Sequence, residues 1–143
     1  MTDSIIHTAL TGSRAVIFDW DGTLADTQDH NYQALSAALA PHHATIDRDW
    51  YRQHPGLAIR DLLTLVPTQT PLPIEQITAT SRASLLASTT PDTLTAIPAA
   101  VDLVRHAIAA RLHCTVASGA ARALAEAGLD VLNLRELFHT VAT

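Results

Sequence analysis

Two aspartates separated by a single residue, Asp19 and Asp21, follow directly on the apolar run Ala15–Phe18. A carboxylate at Asp19 could attack a phosphorus centre and form an acyl phosphate. Asp21 could protonate the leaving oxygen and afterwards activate a water molecule. The two groups would need opposite protonation states, so their surroundings must differ. The spacing indicates phosphoryl chemistry, and the alternative is a solvated Asp-Gly turn without a catalytic role.

A second apolar run, LHCTVAS, ends at Ser118 and is followed by Gly119. In open parallel α/β sheets, ligands bind beyond the carboxyl ends of the strands, so Asp19 and Ser118 are expected in one crevice. The Ser118 hydroxyl and the backbone amides at Gly119 could hold phosphate oxygens. Mg²⁺ is expected beside them, because phosphate and carboxylate repel each other and Mg²⁺ prefers oxygen ligands. Ser118 could instead be an ordinary helix N-cap.

The elements that must position these residues follow the order strand, helical block, helix, strand, helix, strand. This alternation predicts an α/β fold with a parallel sheet. Residues 1–22 and 96–143 are expected to form a core of about three strands, and 23–95 a helical insertion without strands. The first strand is expected to be buried on both faces, and Gly128 to end the helix after Ser118. Helical patterns cover Tyr32–Leu39, Leu57–Val66, Ile74–Leu85, Val101–Ile108 and Ala121–Ala127.

Composition excludes several functional classes. The formal net charge is −5 and all nine basic residues are scattered arginines, so neither a nucleic-acid groove nor a membrane-binding surface is expected. A signal-peptide pattern and a membrane-spanning apolar run are both missing, which favours a cytoplasmic location. The eight histidines show no metal-ligand spacing. The single cysteine, Cys114, lies in an apolar run and is expected to be buried.

The stretch DWDGTLADT resembles the first motif of the haloacid dehalogenase superfamily, in its phosphatase and phosphomutase branch. The stretch VASGA resembles the second motif. The resemblance implies a Rossmann-like core with an inserted helical cap, Mg²⁺ and an aspartyl-phosphate intermediate. It implies that Asp19 is the nucleophile and a metal ligand, and that Asp21 is the general acid/base and gives a backbone carbonyl to the metal. It also implies phosphate binding at Ser118 and Gly119.

A further stretch, HPGLAIRDLL, resembles a cap element of the β-phosphoglucomutase-like subfamily. The resemblance makes Asn31, Gly56 and Arg60 candidate cap residues. A small phosphorylated metabolite, similar to a sugar phosphate, is the implied substrate.

Two departures from the family pattern leave the function open. The third motif of the family is a lysine, and this sequence has none; the cation nearest to Ser118 in sequence is Arg122. The fourth motif supplies further carboxylates for magnesium and would follow Thr143, so the chain is expected to be C-terminally truncated. It could be a phosphatase, a phosphomutase, or an incomplete relative or fragment that binds phosphate weakly or is only structural. In a truncated chain, residues 14–19 would form an exposed sheet edge that is prone to self-association.

Overall fold

Five strands and six helices lie within residues 10–143. The computed structural model describes residues 10–143 of the chain. The strands are β1 (Ala15–Phe18), β2 (Ala25–Asp26), β3 (Thr95–Ala96), β4 (His113–Ala117) and β5 (Thr140–Ala142). The helices are α1 (Gln28–Leu39), α2 (Arg48–Arg52), α3 (Ile59–Thr64), α4 (Ile74–Ser88), α5 (Pro98–Ala109) and α6 (Arg122–Val131). Short 3₁₀ turns follow at Ala40–His42 and Arg135–Leu137. Of the helices in this part of the chain, none combines the length and the apolarity that a membrane span requires.

The main sheet is parallel and has the strand order β1, β4, β5. Phe18 of β1 lies beside Val116 of β4, which in turn lies beside Val141 of β5. Helices connect these strands, as a parallel sheet requires. The predicted α/β class and the three-stranded core are therefore confirmed.

Within residues 10–143, the buried core packs against one face of this sheet. Side chains of alternate residues in the three strands pack there with α5 and α6. They are Val16, Phe18, Cys114, Val116 and Val141. On the opposite face Ala15 is exposed and Ile17 has 69% of its surface accessible. The prediction that β1 is buried on both faces was therefore wrong, because a continuous apolar run does not reveal which faces are covered.

The structure contains a short antiparallel ribbon that the sequence did not predict. Ala25 pairs with Ala96 and Asp26 with Thr95, so β2 and β3 lie side by side. The prediction that the insertion 23–95 lacks strands was wrong for Ala25, Asp26 and Thr95. Two-residue strands are too short to show the alternation that marks a strand.

The chain divides into two compact units. One contains the parallel sheet and includes Thr89–Thr143 and the segment that ends at Thr27. The other, Gln28–Ser88, is helical and has its own apolar core, formed among others by Leu35, Leu39, Leu62, Leu63 and Ile77. This helical unit lies within the 23–95 insertion predicted from the sequence. Its role as a substrate cap stays a prediction.

Polar contacts organise the start of the helical unit. Arg48 forms an ion pair with Asp29, and its guanidinium carbon lies 4.9 Å from the centre of the Tyr32 ring. The Tyr32 hydroxyl donates to the Ile46 carbonyl over 3.2 Å. These contacts fasten α1 to the segment that leads into α2.

Gly128 does not end α6, contrary to the prediction. The helix continues to Val131, and Gly128 is buried within it. A side chain at position 128 would collide with the indole of Trp20. The glycine is thus explained by close packing rather than by a helix C-cap.

Candidate active site

The two aspartates stand on a tight loop that follows β1. The Trp20 carbonyl accepts hydrogen bonds from the backbone N–H groups of Thr23, Leu24 and Ala25, over 3.3, 3.1 and 3.2 Å. Gly22 has a φ of +70°, a conformation that favours glycine. Trp20 is buried with 3% of its surface accessible, whereas Asp19 is exposed and Asp21 half-buried. The loop therefore buries its central residue and leaves both carboxylates within reach of solvent.

Asp21 accepts a hydrogen bond from Thr27, a residue for which the sequence indicated no role at this site. The Thr27 hydroxyl donates to Asp21 Oδ1 over 2.7 Å, and Thr27 is buried. The bond fixes the direction of the Asp21 carboxylate. The only sequence signal for it was the Gly22 turn, which folds the chain back between these two positions.

Ser118 lies at the same edge of the sheet as Asp19. Asp19 follows Phe18 of β1 and Ser118 follows Ala117 of β4, and these are neighbouring parallel strands. The Ser118 N–H donates to the Ala142 carbonyl over 3.0 Å, which prolongs the ladder with β5. Because neighbouring strands are only about 4.8 Å apart, the backbone at Asp19 and the backbone at Ser118 lie at the same edge of the sheet.

Ser118 does not cap the helix that follows it. Its Oγ accepts from the N–H of Ala120 over 3.0 Å, whereas the N-cap of α6 is Ala121, which makes no side-chain hydrogen bond. Gly119 is exposed, and a side chain there would meet nothing within 4 Å. Packing therefore does not require glycine at position 119, and the segment from Ser118 to Ala121 forms an open loop at the edge of the sheet.

The three candidate cap residues all belong to the helical unit. Asn31 is half-buried on α1. Gly56 is exposed with a φ of +73°. Arg60 on α3 forms an ion pair with Glu75, with 2.6 Å between Nη2 and Oε2. This contact gives Arg60 a structural partner, and a substrate role for the three residues stays a prediction.

Arg122 is the first residue of α6, and its guanidinium already has two partners. Its Nη1 donates to the Val141 carbonyl over 2.9 Å and lies 3.3 Å from Glu126 Oε1. The contact with Val141 ties α6 to β5. Both contacts leave the guanidinium less available to replace the lysine that the sequence lacks.

Cys114 is buried, as predicted. Burial raises the pKa of its thiol, which disfavours the nucleophilic thiolate. The apolar core surrounding the sulfur excludes it from the candidate chemistry.

The oxygen atoms of Asp19 and Asp21 are suitable ligands for a magnesium ion. Within residues 10–143, groups of three or more histidine, cysteine or acidic side chains able to hold a metal are absent. Asp19 offers a carboxylate and Asp21 a backbone carbonyl at the sheet edge, and both are the hard oxygen donors that Mg²⁺ prefers. Mg²⁺ commonly uses one or two carboxylates and completes its shell with water and substrate phosphate. The pair could therefore hold Mg²⁺ together with a bound phosphate.

Solved structures share this fold. CbbY from Rhodobacter sphaeroides, determined in complex with phosphate, is 24% identical and has a TM-score of 0.75, with 90% of this chain and 62% of that chain covered. A haloacid dehalogenase-like hydrolase from Streptococcus pneumoniae is 17% identical, with a TM-score of 0.75 and coverage of 92% and 61%. The β-phosphoglucomutase from Clostridium difficile is 17% identical, with a TM-score of 0.70 and coverage of 90% and 60%. The chain therefore spans about three fifths of the length of these structures.

Sequence comparison is consistent with the structural likeness. No curated protein matches the chain. The model of the haloacid dehalogenase-like hydrolase family, however, matches residues 16–143, which include the aspartate loop and Ser118. The chain therefore belongs to the haloacid dehalogenase-like hydrolase family.

Proposed function

We propose that the protein is a magnesium-dependent phosphatase that acts on a small phosphorylated metabolite through an aspartyl-phosphate intermediate. The observation that supports the proposal is that Asp19 and Ser118 each follow the carboxyl end of one of two neighbouring parallel strands, β1 and β4, with Asp21 two residues after Asp19. Membership of the hydrolase family supports it. A variant of CbbY has been determined in complex with xylulose-1,5-bisphosphate, which favours a sugar phosphate as the substrate class.

In the proposed first step, an Asp19 carboxylate oxygen attacks the phosphorus of a phosphate monoester. A new bond forms between this oxygen and phosphorus, and the ester bond from phosphorus to the leaving oxygen breaks. Asp21 gives its proton to the leaving oxygen, so the product departs as a neutral alcohol. The Ser118 hydroxyl holds a phosphoryl oxygen during the transfer.

In the second step, Asp21 acts as a base. It accepts a proton from a water molecule whose oxygen attacks phosphorus, and the bond to Asp19 breaks to release orthophosphate. The Thr27 hydroxyl holds the Asp21 carboxylate in one orientation throughout. A phosphomutase would follow the same first step but return the phosphoryl group to a sugar hydroxyl.

Asp19 and Asp21 are the residues that would hold Mg²⁺, which would neutralise charge on the phosphoryl group. Gly119 would contribute backbone to the phosphate site. We also propose that Asn31, Gly56 and Arg60 face the substrate when the helical unit acts as a cap, and that the protein works in the cytoplasm.

Hydrolysis of p-nitrophenyl phosphate tests this function. Turnover with MgCl₂ is expected to disappear with EDTA and in Asp19→Asn, because the amide cannot form the intermediate. Asp130→Asn is a matched control, since Asp130 is exposed on α6. Its turnover should equal that of the wild type. Equal turnover in Asp19→Asn would overturn the proposal.

The absence of lysine favours a second function, phosphate binding without turnover. A cation that neutralises both nucleophile and phosphate would normally assist the transfer, and Arg122 is tied to Val141 and Glu126. Calorimetry with orthophosphate and MgCl₂ distinguishes the two. Binding that is lost in Ser118→Ala, in a protein without turnover, would support this second function.

We further propose that β1 mediates self-association. The Arg14 carbonyl accepts from the His113 N–H, so by the alternation of a strand the backbone groups of Ala15 and Ile17 point away from β4. In residues 10–143, β1 has a neighbouring strand on one side only. An apolar edge of this kind can pair with a second copy.

A further inference from the structure

We propose that the close fit between Trp20 and Gly128 positions the two aspartates, so that Gly128 is a positioning residue for the active site. The inference rests on the proposed function for its catalytic consequence. It concerns a contact on the buried side of the aspartate loop, away from the reacting groups.

Trp20 is the residue between Asp19 and Asp21, so any displacement of its backbone moves both carboxylates. Its carbonyl is held by three N–H groups of the following turn, and its indole is buried. The loop is therefore fixed at one residue, by its backbone on one side and by its side chain on the other.

The indole lies directly against the backbone of α6. A β-carbon at position 128 would overlap ring atom Cζ2 of Trp20. The same β-carbon would lie 2.6 Å from Cη2 of Trp20 and 3.3 Å from Cδ2 of Leu94. Real β-carbons do not approach buried ring atoms so closely, and a close-packed core leaves the ring little room to retreat. A side chain at 128 must therefore displace either the indole or the helix.

Glycine is otherwise a poor choice at this position. Gly128 lies in the interior of α6, where glycine is the least favourable residue apart from proline. Its φ is not positive, so the backbone conformation does not require glycine. Its close approach to the Trp20 ring is the feature that accounts for it.

The same helix follows directly on the loop that contains Ser118. α6 begins at Arg122, just after the loop that contains Ser118, and Gly128 lies about 9 Å further along the helix axis. Contact between Trp20 and Gly128 therefore sets the distance between the aspartate loop and the Ser118 loop. Strand pairing alone fixes the two strands but not the loops beyond them.

The experiment compares four variants with the wild type by ¹³C NMR of the aspartate carboxyl carbons, with and without MgCl₂. Gly128→Ala introduces the clash. Trp20→Phe removes the two ring atoms nearest to position 128, and the double variant W20F/G128A combines both changes. Val104→Ala is the control, since Val104 is a fully buried core residue on α5. Signals of Asp19 and Asp21 are assigned with the Asp→Asn variants.

We expect Gly128→Ala to shift both carboxyl signals and to raise the Mg²⁺ midpoint by about tenfold or more, since changing residues that orient metal ligands typically costs about 10–100-fold in metal affinity. W20F/G128A should restore the signals and the midpoint towards those of the wild type. Trp20→Phe alone should shift the signals, and it keeps the test informative if Gly128→Ala does not fold. Val104→Ala should lower the melting temperature without shifting the signals.

The inference is overturned if Gly128→Ala and Trp20→Phe affect the carboxyl signals no more than Val104→Ala does. It is also overturned if the double variant fails to restore them. Failure of the proposed function gives a different result. In that case the carboxyl signals respond as expected, but the wild type shows neither Mg²⁺ binding nor turnover.

Discussion

At the scale of single residues, buried neighbours define what the two aspartates can do. The Thr27 hydroxyl donates a hydrogen bond to the Asp21 carboxylate. The buried Trp20 stands between Asp19 and Asp21 in the sequence. The sequence indicated Asp19 and Asp21 as candidates, because a charged pair directly after an apolar strand is unusual, and their catalytic role stays a prediction. It did not reveal Thr27, because that hydrogen bond exists only once the Gly22 turn has formed.

Replacing Thr27 by valine tests the role of this hydrogen bond. Thr27→Val keeps the shape of the side chain but removes the donor to Asp21 Oδ1. A hydrogen bond to a charged group contributes about 1.5–3 kcal/mol, so we expect kcat/KM to fall by roughly tenfold to a hundredfold.

Steady-state kinetics with p-nitrophenyl phosphate measures the effect. Thr27→Ser retains the hydroxyl and should keep most of the activity. Equal kcat/KM for the valine variant and the wild type would show that the Thr27 hydroxyl does not support Asp21.

At the scale of elements, long periodic segments were predicted and short or tertiary features were not. The helices α1, α4 and α5 follow their apolar spacing closely. The β2–β3 ribbon was missed because each strand has two residues. Gly128 was misassigned as a helix end because glycine at a C-cap and glycine at a tight contact look the same in sequence.

The N-cap of α2 provides a prediction at this scale. The Asp47 carboxylate accepts from the Trp50 N–H over 2.7 Å. Asp47→Ala should lower the free energy of unfolding of the helical unit by about 1 kcal/mol, because an N–H of the first turn loses its acceptor.

Urea unfolding followed by circular dichroism measures this change. Asp49→Ala is the matched control, since Asp49 lies in the same helix, is exposed and does not cap it. An equal loss of stability in both variants would argue against a specific contribution from the cap.

At the scale of the whole molecule, each of the two units has its own apolar core, and among the described residues 10–143 the parallel sheet is covered on one face. The sequence predicted the three-stranded core through the alternation of strands and helices. It could not predict the open face, because Ala15–Phe18 is apolar at every position. The exposed Ile17 is the clearest consequence.

Self-association through β1 should depend on this side chain. We expect the wild type to form dimers or larger species with increasing concentration, and Ile17→Lys to reduce this association, because a charge on the strand opposes edge pairing. Sedimentation velocity measures the species present. Leu65→Lys, at an exposed apolar residue of the helical unit, should associate like the wild type. A wild type that stays monomeric at high concentration would refute the proposal.

The central claim is that Asp19 forms a bond to phosphorus, and trapping that bond tests it most directly. The protein is incubated with acetyl phosphate and MgCl₂, quenched in acid and digested, and the peptides are analysed by mass spectrometry. We predict one phosphoryl group on the peptide that contains Asp19, and none in Asp19→Asn. A phosphoryl group on another residue, or an unmodified Asp19 in a protein that hydrolyses acetyl phosphate, would contradict the account.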